Sequence, residues 1–127
     1  GIRAAIAIPT YLEQRRKGWE AQAKSDARNV AALEETYLID SAPPSYVDFD
    51  STSATNPAPF DAFRPTPQVV TKAAANGATG YCIVTRARGG SYLVYDSDAG
   101  GLQAPVRGWP TAWPAGGSCA TRSPTAF

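Results

Sequence analysis

The chemistry open to this chain is limited by the residues that it lacks. Its 127 residues include no histidine and no methionine, and twelve basic against eleven acidic side chains give a net charge of +1. Histidine is the commonest acid–base catalyst and metal ligand near neutral pH, so its absence removes histidine-containing triads and most metal centres. No nucleophile lies beside a plausible base, and no phosphate-binding glycine loop is present. We therefore expect no catalytic residues, no metal site, no cofactor and no enzymatic activity.

Cys82 and Cys119 are the residues most able to form a covalent bond. They are the two cysteines of the sequence, too few for a zinc site without histidine and too far apart for a CxxC redox motif. In a small domain rich in proline and glycine, such a pair predicts a structural disulfide formed in an oxidising compartment. A loop of that length would stabilise the fold by roughly 3–4 kcal/mol in the chain-entropy model. The alternative is two buried free thiols.

Two groups of acidic residues invite a functional interpretation. Residues 96–100, Asp-Ser-Asp-Ala-Gly, are similar to the start of a calcium-binding loop, but the closing glutamate of the twelve-residue pattern is missing. A turn rich in Asp and Gly is the expected structure there. Glu34 and Glu35 lie on adjacent faces of a predicted helix, where solvation or pairing along the helix is expected.

A long N-terminal helix is the first element that the sequence predicts. Residues 1–8 are apolar apart from Arg3, Pro9 then interrupts the pattern, and a charged amphipathic run follows from Thr10. A helix from about Ile2 to Leu38 would be roughly 55 Å long, so its N-terminal end should project from a domain of this size. One stripe of this helix recurs at spacings of three and four and should pack on a sheet. The stripe contains Trp19, Ala23, Ala27, Val30, Leu33 and Tyr37.

The sequence predicts a single domain, 1–127, in which the part after the helix forms loop and sheet. Residues 1–40 form the helix, and residues 41–67, dense in Pro, Ser, Thr, Asp and Asn, form an irregular helix-to-sheet loop. Residues 68–127 contain the sheet and the C-terminal region. Residues 80–88 and 91–96 predict a hairpin across a Gly-Gly turn, after a short strand at 68–72. The proline-rich tail, with Trp109 and Trp113, would be tied to the hairpin by the disulfide. The two tryptophans are either core residues beneath the tail, which we favour, or exposed contact residues.

The N-terminal forty residues resemble the type IV pilin and pseudopilin family. The resemblance rests on Ala-Ala-Ile-Ala-Ile-Pro-Thr-Tyr-Leu at 4–12 and on the amphipathic run at 24–34, with Glu-Glu-Thr-Tyr at 34–37 and Gly-Tyr-Cys-Ile at 80–83 as later matches. The leading half of the family's hydrophobic segment is absent from this sequence. The resemblance implies an α+β fold: a pilin-like roll in which a long N-terminal α-helix packs on a small antiparallel β-sheet, with a disulfide-bounded C-terminal region.

The same resemblance implies a structural subunit of a type IV pilus at the cell surface. The subunit would be inserted in the membrane before assembly, then polymerise with identical or related pilins through the action of membrane assembly machinery. The filament would serve adhesion, motility or DNA uptake. The alternatives are a pseudopilin of a type II secretion or competence machine, and a DNA-binding minor pilin with Arg86 and Arg88 as candidate contacts.

The filament-assembly residues implied by the resemblance lie at the start of the helix. They are Ile2, Ala5, Ile6, Ile8, Pro9 and Leu12. Trp19, Ala23, Val30, Leu33 and Tyr37 would instead hold the helix on its own sheet. Arg3 stands where leucine or a similar residue is usual in the family. Buried without a partner it would cost several kcal/mol, so we expect it to be paired in a filament or not to be native.

Overall fold

A computed structural model describes residues 2–127, and it describes side chains from Tyr11 onward. One long helix is followed by a short edge strand, a 3-10 turn, an antiparallel hairpin system and a small C-terminal helix. The elements are α1 (Ile2–Asp40), β1 (Phe49–Asp50), a 3-10 turn (Phe60–Ala62), β2 (Val70–Asn76), β3 (Gly80–Arg86), β4 (Ser91–Asp96), β5 (Gly101–Leu102), β6 (Val106–Arg107) and α2 (Ser118–Thr121). The side-chain roles predicted for Ile2, Arg3, Ala5, Ile6, Ile8 and Pro9 lie outside the described side chains.

Helix α1 runs without a break for 39 residues, through both Pro9 and Gly18. At 1.5 Å per residue its axis is roughly 58 Å long. Within the described residues, no helix is both long enough and apolar enough to cross a membrane.

The described strands form one antiparallel sheet with the order β1-β2-β3-β4-β5, and β6 pairs with the other end of β4. The predicted hairpin is present, with Thr85 of β3 opposite Leu93 of β4. Long antiparallel pairing with short connections follows from β-rich runs separated by Gly-containing turns. The α+β class, with a long helix packed on an antiparallel sheet, is therefore confirmed. The pilin-like roll itself remains a prediction.

Two strands differ from the sequence-based expectation. The strand expected at 68–72 begins at Val70 and extends to Asn76, because its residues pair in register with the whole of β3. Strand β1 lies inside the segment predicted to be loop, where Phe49 pairs with Ala73. Two residues are too few to show a hydrophobic period, so the sequence gives no signal for β1.

Strand β3 separates two cores because alternate side chains point to opposite faces. Tyr81 and Ile83 face α1, where they join buried Ala27, Val30 and the aromatic residues of the helix-to-sheet loop. Cys82 and Val84 face the C-terminal region and pack with Val94 and Cys119. The sheet is therefore covered by the helix on one face and by the proline-rich tail on the other.

Candidate functional site

Helix α1 has two halves with different surroundings. Residues 11–15 are exposed, with 57% of Tyr11 and 53% of Leu12 accessible to solvent, and the first fully buried residue among the described side chains is Ala23. The side chains that pack on the sheet therefore belong to the C-terminal half of the helix. Residues 11–15, in the N-terminal half, extend beyond the contacts that hold the domain together.

Trp19 lies at the boundary between these halves. The guanidinium carbons of Arg15 and Arg88 each lie 5.1 Å from the centroid of its ring, a cation–π distance. Gly89 approaches the ring so closely that a Cβ on it would lie 2.8 Å from Cε3 of Trp19. The turn after β3 therefore packs against α1 at the point where the helix extends beyond the sheet.

The remaining residues predicted to contact the sheet lie further along α1. Ala23 and Val30 are completely buried. Leu33 and Tyr37 are half-buried and pack against the core that contains Phe60 and Tyr81. Alanines at the contact positions let the helix axis approach the sheet closely, while the larger side chains close the edges of the interface.

Glu34 is not solvated, contrary to the sequence-based expectation. Its side chain is fully buried, and its Oε2 accepts a hydrogen bond from the backbone N–H of Val47 at 3.0 Å. Its Oε1 is buried without a described hydrogen-bond partner. Burial raises the pKa of Glu34 from 4.5 to about 8; the Val47 hydrogen bond opposes the shift, and the charges of Asp48 and Glu35 add to it. The carboxyl is therefore largely protonated at neutral pH.

Glu35, one position further, stays at the surface and accepts hydrogen bonds from two tyrosines. The hydroxyls of Tyr46 and Tyr81 each donate to its carboxylate at 3.2 Å. Burial raises the pKa of Tyr81, and the neighbouring Glu35 charge raises it further. These hydrogen bonds join the end of α1, the helix-to-sheet loop and β3.

Asp26 is a second buried acid of α1, and it lies outside the stripe of residues predicted to pack on the sheet. Its two carboxylate oxygens accept hydrogen bonds from the backbone N–H and the hydroxyl of Thr66, both at 2.8 Å. The partner lies 40 residues away, so no local spacing indicates the contact. Asp26 fixes the end of the helix-to-sheet loop against α1.

Cys82 and Cys119 form the predicted disulfide, which joins β3 to α2. Beside it, Oδ1 and Oδ2 of the buried Asp96 accept hydrogen bonds from the backbone N–H groups of Ser118 and Cys119, at 3.0 and 2.9 Å. A carboxylate at this position satisfies the unpaired donors that begin a helix. This role of Asp96 was not predicted from the sequence, although Asp96 begins the acidic segment at 96–100. That segment forms a turn, since Asp96 Oδ1 also accepts from the N–H of Asp98.

Trp109 and Trp113 lie beneath the tail, half-buried against the cluster around the disulfide. Their rings are in edge contact with each other, with centroids 5.8 Å apart, and Trp109 also contacts Tyr92 and Phe127. Aromatic rings and the disulfide thus order a segment that forms little regular secondary structure.

The structure does not bring Arg86 and Arg88 together. Arg86 lies over the ring of Phe127, 5.5 Å from its centroid, on the tail side of the sheet. Arg88 lies over Trp19 on the helix side. A continuous strand-binding face of arginines and aromatic rings would need both groups on one surface. DNA contact by these residues stays a prediction that this geometry does not favour.

Among the described residues, no group of three or more Cys, Asp or Glu side chains could hold a metal ion. Comparisons with protein-family models, curated proteins and solved structures give no match to this chain. The features that bear on function are therefore the two halves of α1 and the residues that fasten its C-terminal half to the sheet.

Proposed function

We propose that this chain is a structural subunit of a type IV pilus, or of a related filament, that polymerises through the N-terminal half of α1. The observation that carries the proposal is the division of that helix: residues 11–15 are exposed, and burial against the sheet begins only around Trp19 and Ala23. Residues 1–8 of the same helix are apolar apart from Arg3.

An apolar helical end is unfavourable in water and favourable between neighbouring copies. Its burial would stabilise a polymer by about 25 cal/mol for each Å² of apolar surface removed from water. Before assembly the same end would be held in the membrane, together with the apolar segment that the family resemblance places before it. The subunit is then transferred to the filament core by membrane assembly machinery, and the filament is displayed at the cell surface.

The C-terminal half of the molecule supports a display role. The helix-to-sheet loop packs on the helix-covered face of the sheet and the disulfide-bounded tail packs on the opposite face. Both are fastened by cross-links rather than by extensive regular structure. Asp26 fixes the loop, while the disulfide and Asp96 fix the tail. Such segments can vary in sequence while the helix and sheet stay the same.

The test uses one polar substitution at each end of the helix. Leu12→Glu places a charge on the projecting half, and Ile39→Glu places the same charge at the opposite end, where the side chain is 80% exposed. We expect Leu12→Glu to eliminate the chain from filaments sheared from producing cells, and Ile39→Glu to leave incorporation near that of the wild type. Both variants should keep the wild-type melting temperature, because neither site is buried.

Mass spectrometry of the same sheared fraction separates the pilus from its alternatives. A major pilin dominates the fraction, carries a methylated apolar N-terminus and has a mass two hydrogens below that of the reduced chain. A chain found in the envelope but absent from sheared filaments would instead be a pseudopilin or a minor pilin. Equal incorporation of Leu12→Glu and wild type would contradict polymerisation through α1.

A further inference from the structure

Charged residues are segregated along α1. Arg15, Arg16 and Lys17 are consecutive, and we call these three residues the basic patch. The last twelve residues of the helix, 29–40, contain no basic residue, and Glu35 and Asp40 are exposed there. We call Glu35 and Asp40 the acidic patch. Glu13 and Glu20 partly offset the positive charge of the basic patch, but Lys24 and Arg28 add further positive charge to the helix nearby.

The acidic end of this segregation runs against the dipole of the helix. A helix is stabilised by basic residues in its last turn, and α1 has none there. Asp40 lies at the negative end of the dipole, where a carboxylate is least favourable. The charge distribution therefore does not serve the stability of the isolated helix.

The two patches cannot neutralise each other within one molecule. Lys17 and Glu35 are about 27 Å apart along the helix axis, at 1.5 Å per residue. Exposed charges are largely screened beyond about 8 Å at physiological ionic strength. Among the described side chains, the ion pairs are Lys72 with Asp50 and Arg122 with Asp48, so neither patch takes part in one.

We propose that the basic patch of one copy of this chain docks against the acidic patch of another copy. The inference rests on the proposed filament and specifies its register. The two surfaces complement each other and not themselves, so the contact is head-to-tail and propagates into an open helical array, not a closed dimer. A second copy shifted by about 27–36 Å along the helix direction brings Glu35 and Asp40 beside the basic patch.

The location of the basic patch supports this partner. It lies on the exposed part of α1, next to Tyr11 and Leu12, where the proposed assembly surface emerges from the domain. Arg15 is already oriented by the rings of Tyr11 and Trp19, at 5.6 and 5.1 Å from their centroids. Charges at the edge of an apolar contact set its register and suppress wrong alignments.

The experiment is a charge swap in the full-length chain, followed in filaments sheared from producing cells. Arg16→Glu with Lys17→Glu reverses the basic patch. Asp40→Lys with Glu35→Gln reverses the acidic patch while keeping an acceptor for Tyr46 and Tyr81. Each reversal should lower the filament yield at least about tenfold, since like charges would then face each other. Combining the two reversals should restore the yield to within about threefold of the wild type.

Matched controls make the same changes away from the patches. Arg107→Glu on β6 and Asp61→Lys in the helix-to-sheet loop alter exposed charges and should leave the yield unchanged. Wild-type yield in both patch reversals would overturn the charge pairing and leave the filament intact. Failure of the combined variant to recover, with melting temperatures unchanged, would also overturn it. Absence of the wild-type chain from sheared filaments would instead overturn the assignment to a pilus.

Discussion

At the scale of single residues, the buried carboxyl of Glu34 ties stability to pH. Its pKa is about 8 in the folded chain, against 4.5 ordinarily, so between these values the folded state holds a proton that the unfolded state has lost. The contribution of protonated Glu34 is complete below about pH 4.5 and is lost as the pH rises towards 8. Because the sequence has no histidine, no side chain with an ordinary pKa titrates between pH 5 and 8.

We therefore expect the free energy of unfolding to fall between pH 5 and 8, by up to about 1.4 kcal/mol per pH unit. Glu34→Gln should remove this slope, because the amide keeps the shape of the protonated acid and does not titrate. Urea unfolding at pH 5, 6, 7 and 8 measures the effect. Glu13→Gln, at an exposed position of α1, is the control and should keep the slope; a flat wild-type profile would contradict the assignment.

Gly117 is constrained by the carboxylate that holds the tail. A Cβ at this position would lie 2.6 Å from Oδ1 of Asp96, which is itself buried and accepts from the N–H of Ser118. The backbone at Gly117 and the carboxylate of Asp96 cannot move apart without breaking the hydrogen bond between Ser118 and Asp96. Gly117→Ala should therefore destabilise the fold by on the order of 2 kcal/mol.

Gly18 provides the matched comparison for the same substitution. A Cβ there would meet nothing within 4 Å, on an exposed position of α1. Gly18→Ala should stabilise the protein by up to about 1 kcal/mol, since alanine is the better helix former. Urea unfolding of both variants should show opposite signs, and a similar effect at the two sites would contradict the proposed role of Asp96.

At the scale of elements, the disulfide holds the C-terminal tail against the sheet, which the tail's own hydrogen bonds cannot do. Cys82 and Cys119 are 37 residues apart, and closing that loop is worth about 4 kcal/mol in the chain-entropy model. The double variant Cys82→Ala with Cys119→Ala should lose a similar amount. Trypsin should also cleave after Arg107 and Arg122 much faster than in the oxidised wild type.

Reducing agent supplies the control for this experiment. It should lower the unfolding free energy of the wild type to a value near that of the double variant, and it should leave the double variant unchanged. Equal protection of Arg107 and Arg122 in both proteins would mean that the aromatic contacts of Trp109 and Phe127 alone order the tail.

Elements with a local signal were predictable from the sequence, and those fixed by distant partners were not. The period of α1 and the Gly-Gly hairpin lie within contiguous residues, so propensity and spacing indicate them. The disulfide followed from the cysteine count. Nothing in the helical periodicity indicated that Asp26 and Glu34 are buried, because their partners Thr66 and Val47 lie 40 and 13 residues away. Burial of a carboxylate depends on which loop covers it, and helical periodicity carries no information on that.

At the scale of the whole molecule, the fold and the proposed assembly function occupy different halves of one helix. The sheet and the helix-to-sheet loop are fastened to α1 from Trp19 onward, and the tail is fastened to the opposite face of the sheet. Residues 11–15 contribute no buried side chain. A helix of this kind is stabilised by its packed half, since an isolated helical end is marginal in water. The domain should therefore fold without the end that we propose for polymerisation.

Deletion of residues 1–14 tests this separation. The shortened chain keeps Arg15 and Trp19, so its free energy of unfolding should stay within about 1 kcal/mol of the full value, and its urea m-value should not change. Sedimentation should show a monomer, and the chain should be missing from sheared filaments. Ala23→Glu in the full chain is the opposite case: it forces a charge into a completely buried position, and should cost more than about 3 kcal/mol. If the deletion destabilised the domain as much as Ala23→Glu, the N-terminal half of α1 would belong to the fold, and its proposed role as an assembly surface would lose its main support.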